Sequence, residues 1–244
     1  MKNHILIVDD NAMNQKVASK MLASMDYEYD IAKDGQEAIH LYSTNNYDLI
    51  LMDCVMPVVD GYEASRRIRD IERDRTLPHI PIIALSAHSE DSDEIKRCTD
   101  SGMDDFLSKP MNMQRLQGLI AKWLERTMSE QSNEEGHNAD ALSNSTDIRD
   151  SLGDQYAELI RIFLRDAPGL IQRLHDAITE NNYAEIAYAA HTLRGCSRYV
   201  GAQQLSQLCD KIEANATHPD ELSSLLKKLQ QQFSVVGAIL RDQL

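Results

Sequence analysis

The chain of 244 residues is 42% apolar with a formal net charge of −14 at pH 7, enough to bury one large core or two modest ones and a poor match for nucleic acid. Its longest apolar runs, such as Ile5 to Val8 and Leu49 to Met52, are far too short to span a bilayer, and Met1-Lys2-Asn3-His4 does not open a secretory signal, so a soluble, cytoplasmic protein is expected. Cys54, Cys98, Cys196 and Cys209 form no CxxC pair, which disfavours a zinc site or disulfide framework, and the glycines make neither GxG nor GxxxxGK, so no nucleotide-binding loop is present.

From the start of the chain, short β-rich runs alternate with helical patterns. The strands are expected at His4 to Val8, Tyr27 to Ala32, Tyr47 to Met52, Ile80 to Leu85 and Asp105 to Leu107. Helices are expected over residues 11 to 25, from Asp34 or Gly35 to Thr44, after Gly61 to about Arg73, from Ser89 or Asp91, and from Asn112. Five strands with right-handed helical crossovers predict an α/β, doubly wound parallel sheet whose ligand crevice lies at the carboxyl ends of the strands.

Asp9 and Asp10 end the first strand and Asp53 the third, so a strand order of 2-1-3-4-5 would gather three carboxylates at one edge. Asp9-Asp10 alone could equally serve as an acidic pair at a helix start; Asp53 tips the reading towards a cluster. Clustered anions repel unless a cation joins them, and magnesium suits carboxylate oxygens while leaving room for waters and a phosphate. Ser86 follows the fourth strand and Lys109 the fifth, so both open onto that edge. A lysine ammonium can hold phosphate oxygens and a serine hydroxyl can donate to one.

Residues 127–146 are rich in Ser, Asn and Glu and predict a flexible linker between a first domain, 1–126, and a second, 147–244. As a coil, that linker would span about 25 Å, enough to hold two domains at about millimolar effective concentration. After it, helices are expected at Asp154 to Asp166, Pro168 to Asn181, Tyr183 to Val200, Ala202 to Ala216 and Pro219 to Leu244, with Asp147 to Leu152 as a shorter leading turn. Pro168 and Pro219 fit first-turn positions, and the set makes an all-α antiparallel four-helix bundle.

Within that bundle His191 points about 160° away from the apolar direction of its helix, centred on Leu193, which predicts a presented histidine. Ala184, Ala187, Gly195 and Arg198 surround it, leaving room for a bulky approach. Arg194 and Arg198 stand one or two turns away to meet negative charge. Such a site suits a phosphoryl group delivered by another protein. His175 lacks these surroundings and reads as a surface residue.

The run His191-Thr192-Leu193-Arg194-Gly195, followed by Gly201-Ala202 and then Leu205, Leu208, Cys209, Ile212 and Glu213, resembles the histidine-containing phosphotransfer (HPt) domain. Arg194 stands where that family commonly has Lys, keeping the charge with a different geometry. Asp9-Asp10, Leu51-Met52-Asp53, Met56-Pro57 with Asp60-Gly61, Ala84-Leu85-Ser86-Ala87, and Phe106-Leu107-Ser108-Lys109-Pro110 together look like a response-regulator receiver domain over about residues 3–126.

The receiver resemblance implies a flavodoxin-like sheet, Asp53 as the phosphorylated carboxylate, Asp9, Asp10 and the Val55 carbonyl with it around magnesium, Lys109 on the phosphate, and a cis bond before Pro110. Ser86 and Phe106 take the family's switch positions, and Val55 and His88 flank the pocket at variable ones. Together the two resemblances imply a phosphorelay. Asp53 would accept a phosphoryl group from the phosphohistidine of an upstream sensor kinase, and His191 would pass it to a downstream receiver. A phosphorylation-controlled binding switch and a phosphate sink running in reverse remain alternative readings. No glycine-rich nucleotide box marks a kinase module, so the chain reads as a phosphotransfer protein, either a complete small relay protein or the C-terminal part of a hybrid kinase.

Overall fold

In the computed structural model, His4–Val8 (β1), Glu28–Ala32 (β2), Leu49–Asp53 (β3), Ile82–Ser86 (β4) and Asp105–Ser108 (β5) pair in parallel as one sheet of order β2-β1-β3-β4-β5. The structure describes residues 2–86, 92–128, 156–217 and 219–244. The expected topology is therefore the observed one. Every residue of β3 and β4 is buried, because helices cover both faces of a parallel sheet, whereas the edge strand β2 leaves Tyr29 and Ile31 partly exposed.

Five helices connect and follow the strands: Ala12–Ser24 (α1), Gly35–Thr44 (α2), Gly61–Arg75 (α3), Ser92–Asp100 (α4) and Met113–Met128 (α5). Their starts are written in short polar side chains. Asn11, Asp34 and Asp60 accept hydrogen bonds from the first-turn N–H groups of α1, α2 and α3, and Asn112 does the same for α5. The expected starts of α4 at Ser89 or Asp91, and His88, lie outside the described residues.

At the amino-terminal end of the sheet, a buried ion network fixes α3 against β4 and β5. Arg69 pairs with Glu72 and Asp104 at 2.7 Å each; Glu72 accepts the Ile80 N–H at 2.8 Å and Asp104 the Ile82 N–H at 2.8 Å. At the carboxyl end, the turn from β3 into α3 brings Gly61 against the strand. Its N–H donates to the Cys54 carbonyl at 3.2 Å, and a Cβ there would lie 2.0 Å from the Asp53 carbonyl oxygen.

The chain divides into two compact units, Met1–Leu142 and Ser143–Leu244. The second contains Tyr156–Glu180 (α6), Tyr183–Tyr199 (α7), Gln203–Ala214 (α8) and Pro219–Arg241 (α9). Consecutive helices pack on one another and α9 returns to α6, closing a four-helix bundle around Phe163, Leu174, Ile186, Leu193, Leu205, Ile212 and Leu229. The turns need left-handed backbone at Asn181 and Gly201, residue types that accept it readily.

Two sequence expectations differ from this arrangement. Pro168 lies inside α6 and does not begin a new helix. A proline there removes one backbone donor, and burial of Phe163, Ala167, Leu170, Ile171 and Leu174 on both sides carries the helix through it. The first domain's last helix reaches Met128, two residues into the expected linker; the rest of that linker, and the leading turn at Asp147 to Leu152, lie outside the described residues. No helix among the described residues is long and apolar enough to cross a membrane.

Because the Asp53 carbonyl would have to move to admit a methyl group, Gly61→Ala is expected to destabilise the first unit by about 2 kcal/mol or more, measured by urea unfolding. Wild-type stability in that variant would contradict the close approach.

Candidate functional site

The carboxyl edge of the sheet gathers the residues singled out from sequence. Asp9 and Asp53 are buried, Asp10 is half-buried, and one carboxylate oxygen from each lies within 4.8 Å of the others. Lys109, also buried, reaches between them: its Nζ lies 2.7 Å from Asp9 Oδ2 and 2.7 Å from Asp53 Oδ2. The Lys109–Pro110 peptide that sets this side chain's course is cis.

Each acid is held from its own element. Asp9 Oδ1 accepts from the Asn11 N–H at 2.9 Å and the Asn14 amide at 3.0 Å, both at the start of α1. Asp53 Oδ1 accepts from the Val55 N–H at 3.3 Å. Burial pushes the Asp53 carboxyl up to about 8; Lys109 pulls the other way, but Asp9 and Asp10 add to the rise. Burial also works against the Lys109 charge, yet Asp53 and Asp9 outweigh it and hold the ammonium above its ordinary value.

Ser86 is buried at the end of β4, and its hydroxyl donates to the Glu94 carboxylate on α4. Phe106 is partly buried and packs against the sheet's core. Cys54, directly after Asp53, has its Sγ 3.8 Å from that of Cys98, a contact between residues far apart in the chain that the local pattern around neither one announces. All four cysteines are free and buried.

On the bundle, His191 departs from the expectation of a fully presented side chain. Its side chain is 13% exposed, with Nδ1 3.1 Å from Glu213 Oε1 and 3.0 Å from an Arg194 Nη2. The departure has a plain cause. A one-helix projection measures only the direction opposite Leu193, while α8 packs along the flank and brings Glu213 to the imidazole.

Arg194 is likewise not the exposed docking cation expected. It is 1% exposed and paired with Asp210 at 2.8 Å and Glu213 at 2.9 Å, because three residues beyond His191 its side chain meets α8, and a buried guanidinium must be paired. Arg198 is half-buried on Ser206 Oγ at 3.1 Å. Burial and the neighbouring Arg194 hold its pKa below the usual arginine value. A Cβ on Gly195, one turn from His191, would meet nothing, so that side of the histidine is open.

Arginine only donates and a carboxylate only accepts, so Nδ1 can serve Arg194 or Glu213 but not both at once. Donation of Nδ1–H to Glu213 leaves the Nε2 lone pair for an electrophile. Glu213 and Asp210 were not among the sequence-chosen site residues; finding them requires knowing which helices pack together.

The acid trio offers hard oxygen donors at one point, the donor set that suits magnesium, with Asp9, Asp10 and Asp53 as the residues that would hold it. Burial and the two neighbouring acids favour the protonated Asp53 carboxyl in the metal-free protein, so a cation competes with that proton. Magnesium affinity is therefore expected to strengthen by up to about tenfold per unit as pH rises from about 6 to about 8, then level off, by calorimetric titration. A pH-independent affinity would contradict the raised carboxyl.

Known proteins resemble this chain over both units. A model of the response regulator receiver domain matches residues 5–121, and one of the Hpt domain matches residues 158–238. The chain is 30% identical over 237 residues to sensor protein GacS of Pseudomonas syringae pv. syringae, covering 92% of this chain and 26% of that protein. It is 29% identical over 224 residues to the aerobic respiration control sensor protein ArcB of Escherichia coli (strain K12), covering 86% and 28%. The chain thus spans about a quarter of the length of these relatives. Among solved structures, the receiver domain of sensor histidine kinase PA1611 from Pseudomonas aeruginosa PAO1, described with magnesium coordinated in its active-site cleft, is 40% identical at a TM-score of 0.47, covering 51% of this chain and 99% of its own. The chain therefore contains a response regulator receiver domain followed by an Hpt domain.

Proposed function

We propose that Asp53 and His191 are successive stations for one phosphoryl group. The observation that carries the reading is the buried edge where Asp53, Asp9 and Asp10 converge around the Lys109 ammonium. An Asp53 oxygen attacks the phosphorus of a phosphohistidine on an upstream sensor kinase in line; the P–N bond breaks, and an acyl phosphate forms as the imidazole leaves. Lys109 moves from its place between the carboxylates to hold phosphoryl oxygens, and the Ser86 hydroxyl donates to another. Bound magnesium supplies the counter-charge for those oxygens. Phe106, beside β4, fills or leaves the space behind Ser86 as the hydroxyl moves.

In the second step His191 Nε2 attacks the acyl phosphate, the P–O bond to Asp53 breaks, and the carboxylate is regenerated. Glu213 keeps the Nδ1 proton in place while Nε2 bonds to phosphorus, and Arg194 balances the added charge from within the bundle. Gly195 and Arg198 flank the path by which a downstream receiver approaches to take the group onto its own aspartate. The partners are thus a sensor histidine kinase and a second receiver, and the chain itself transfers phosphate and leaves ATP chemistry to the kinase. Buried free thiols accord with a cytoplasmic setting.

The test is labelling of the full chain with a small phosphodonor such as acetyl phosphate, resolving base-labile acyl phosphate from acid-labile phosphohistidine. Acyl label is expected in wild type and lost in Asp53→Ala. Histidine label is expected to disappear in His191→Ala and, for transfer within the chain, in Asp53→Ala as well. Acyl label surviving in Asp53→Ala, or histidine label surviving in His191→Ala, would contradict the assignment.

A further inference from the structure

Ser86 has 3% of its surface exposed and its backbone is locked into the sheet: its carbonyl accepts the Lys109 N–H at 2.6 Å, and Ser108 of β5 pairs with it in register. Rotation about its Cα–Cβ bond is the freedom that moves the hydroxyl. In this conformation the hydroxyl donates to Glu94 Oε1, eight residues further on in the first turn of α4. Glu94 is half-buried there.

A serine hydroxyl carries one proton. Given to Glu94, that proton is not available to an oxygen of a phosphoryl group on Asp53. The two acceptors are both anions: Glu94 takes the bond in this conformation, and Asp53 ends the neighbouring strand in register with Leu85, the residue before Ser86. The contact with Glu94 is a partly buried, charge-assisted hydrogen bond, stronger than one between neutral groups.

We propose that Glu94 is a positioning residue: it holds the Ser86 hydroxyl in the unphosphorylated protein, so that the aspartyl phosphate and the first turn of α4 compete for one proton. The proposal rests on the reading of Asp53 as phosphoacceptor and extends it to α4. Phosphorylation then has two linked effects. The hydroxyl rotates from Glu94 to the phosphoryl oxygen, and the first turn of α4 loses a tie to the sheet, which carries the state of Asp53 to a helix on the surface. The Glu94 bond also sets the level of phosphorylation, because it stabilises the free form alone.

Beryllofluoride, which occupies a carboxylate as a phosphoryl group does, reads the equilibrium directly when titrated into the magnesium-loaded full chain and followed by ¹⁹F NMR. Glu94→Ala is expected to lower the half-saturating concentration by about tenfold, the scale of one hydrogen bond to a charged group. Glu94→Gln keeps the shape with a neutral acceptor and is expected to fall between the two. The gain must pass through Ser86: Ser86→Ala and the double variant Ser86→Ala/Glu94→Ala are expected to saturate at the same concentration as each other. No gain in either Glu94 variant, or the full gain persisting without the Ser86 hydroxyl, would overturn the proposal. Failure of the underlying reading looks different, since wild type and every variant would then show no bound resonance that Asp53→Ala removes.

Discussion

An ammonium group buried between two carboxylates is the interaction on which the first unit's chemistry depends. Without Lys109, Asp9 and Asp53 would face each other at close range with little water to screen them. The sheet supplies the geometry that makes this pairing possible. Its order places the ends of β1 and β3 side by side and that of β5 two strands from β3, and the Gly61 turn lets α3 begin hard against the Asp53 carbonyl. Burial raises Asp53 and the lysine opposes the rise only in part, so a divalent cation can share the lysine's role, while a phosphoryl group would draw the ammonium onto its own oxygens.

The bundle repeats the principle with different parts. Arg194, almost wholly enclosed, lies between Asp210, Glu213 and the imidazole of His191, so its charge acts on the nucleophile from inside the fold. A guanidinium serves this position well because its fork can face the two carboxylates together, which a lysine point charge cannot do. In both units, then, the proposed phosphoacceptor sits beside a buried cation that is already partnered. Phosphoryl transfer at either would require those partners to be exchanged as charge arrives.

Much of this was legible in the residues themselves. The strands announce themselves because a parallel sheet buried on both faces needs unbroken apolar runs, as in Leu49–Asp53 and Ile82–Ser86, and the helix starts are marked by Asn11, Asp34, Asp60 and Asn112. Strand ends then locate Asp9, Asp53, Ser86 and Lys109 on one edge. What stayed hidden depends on contacts between elements distant in sequence. The half-enclosure of His191 and the burial of Arg194 come from α8 lying against α7; the continuity of α6 through Pro168 comes from its buried face; the Ser86 bond to Glu94 and the Cys54–Cys98 contact come from where α4 settles. Periodicity within one segment carries no information about its neighbour.

The raised Asp53 carboxyl expresses the whole balance of burial, lysine and neighbouring acids in one number, and it can be observed without any partner protein. The decisive measurement is a pH titration of the Asp53 side-chain carboxyl ¹³C resonance in metal-free protein, repeated with saturating magnesium. A metal-free midpoint near 8 is expected, with a carboxylate that stays ionised down to much lower pH once the cation is bound. A metal-free midpoint of about 4, that of an ordinary exposed aspartate, would contradict it.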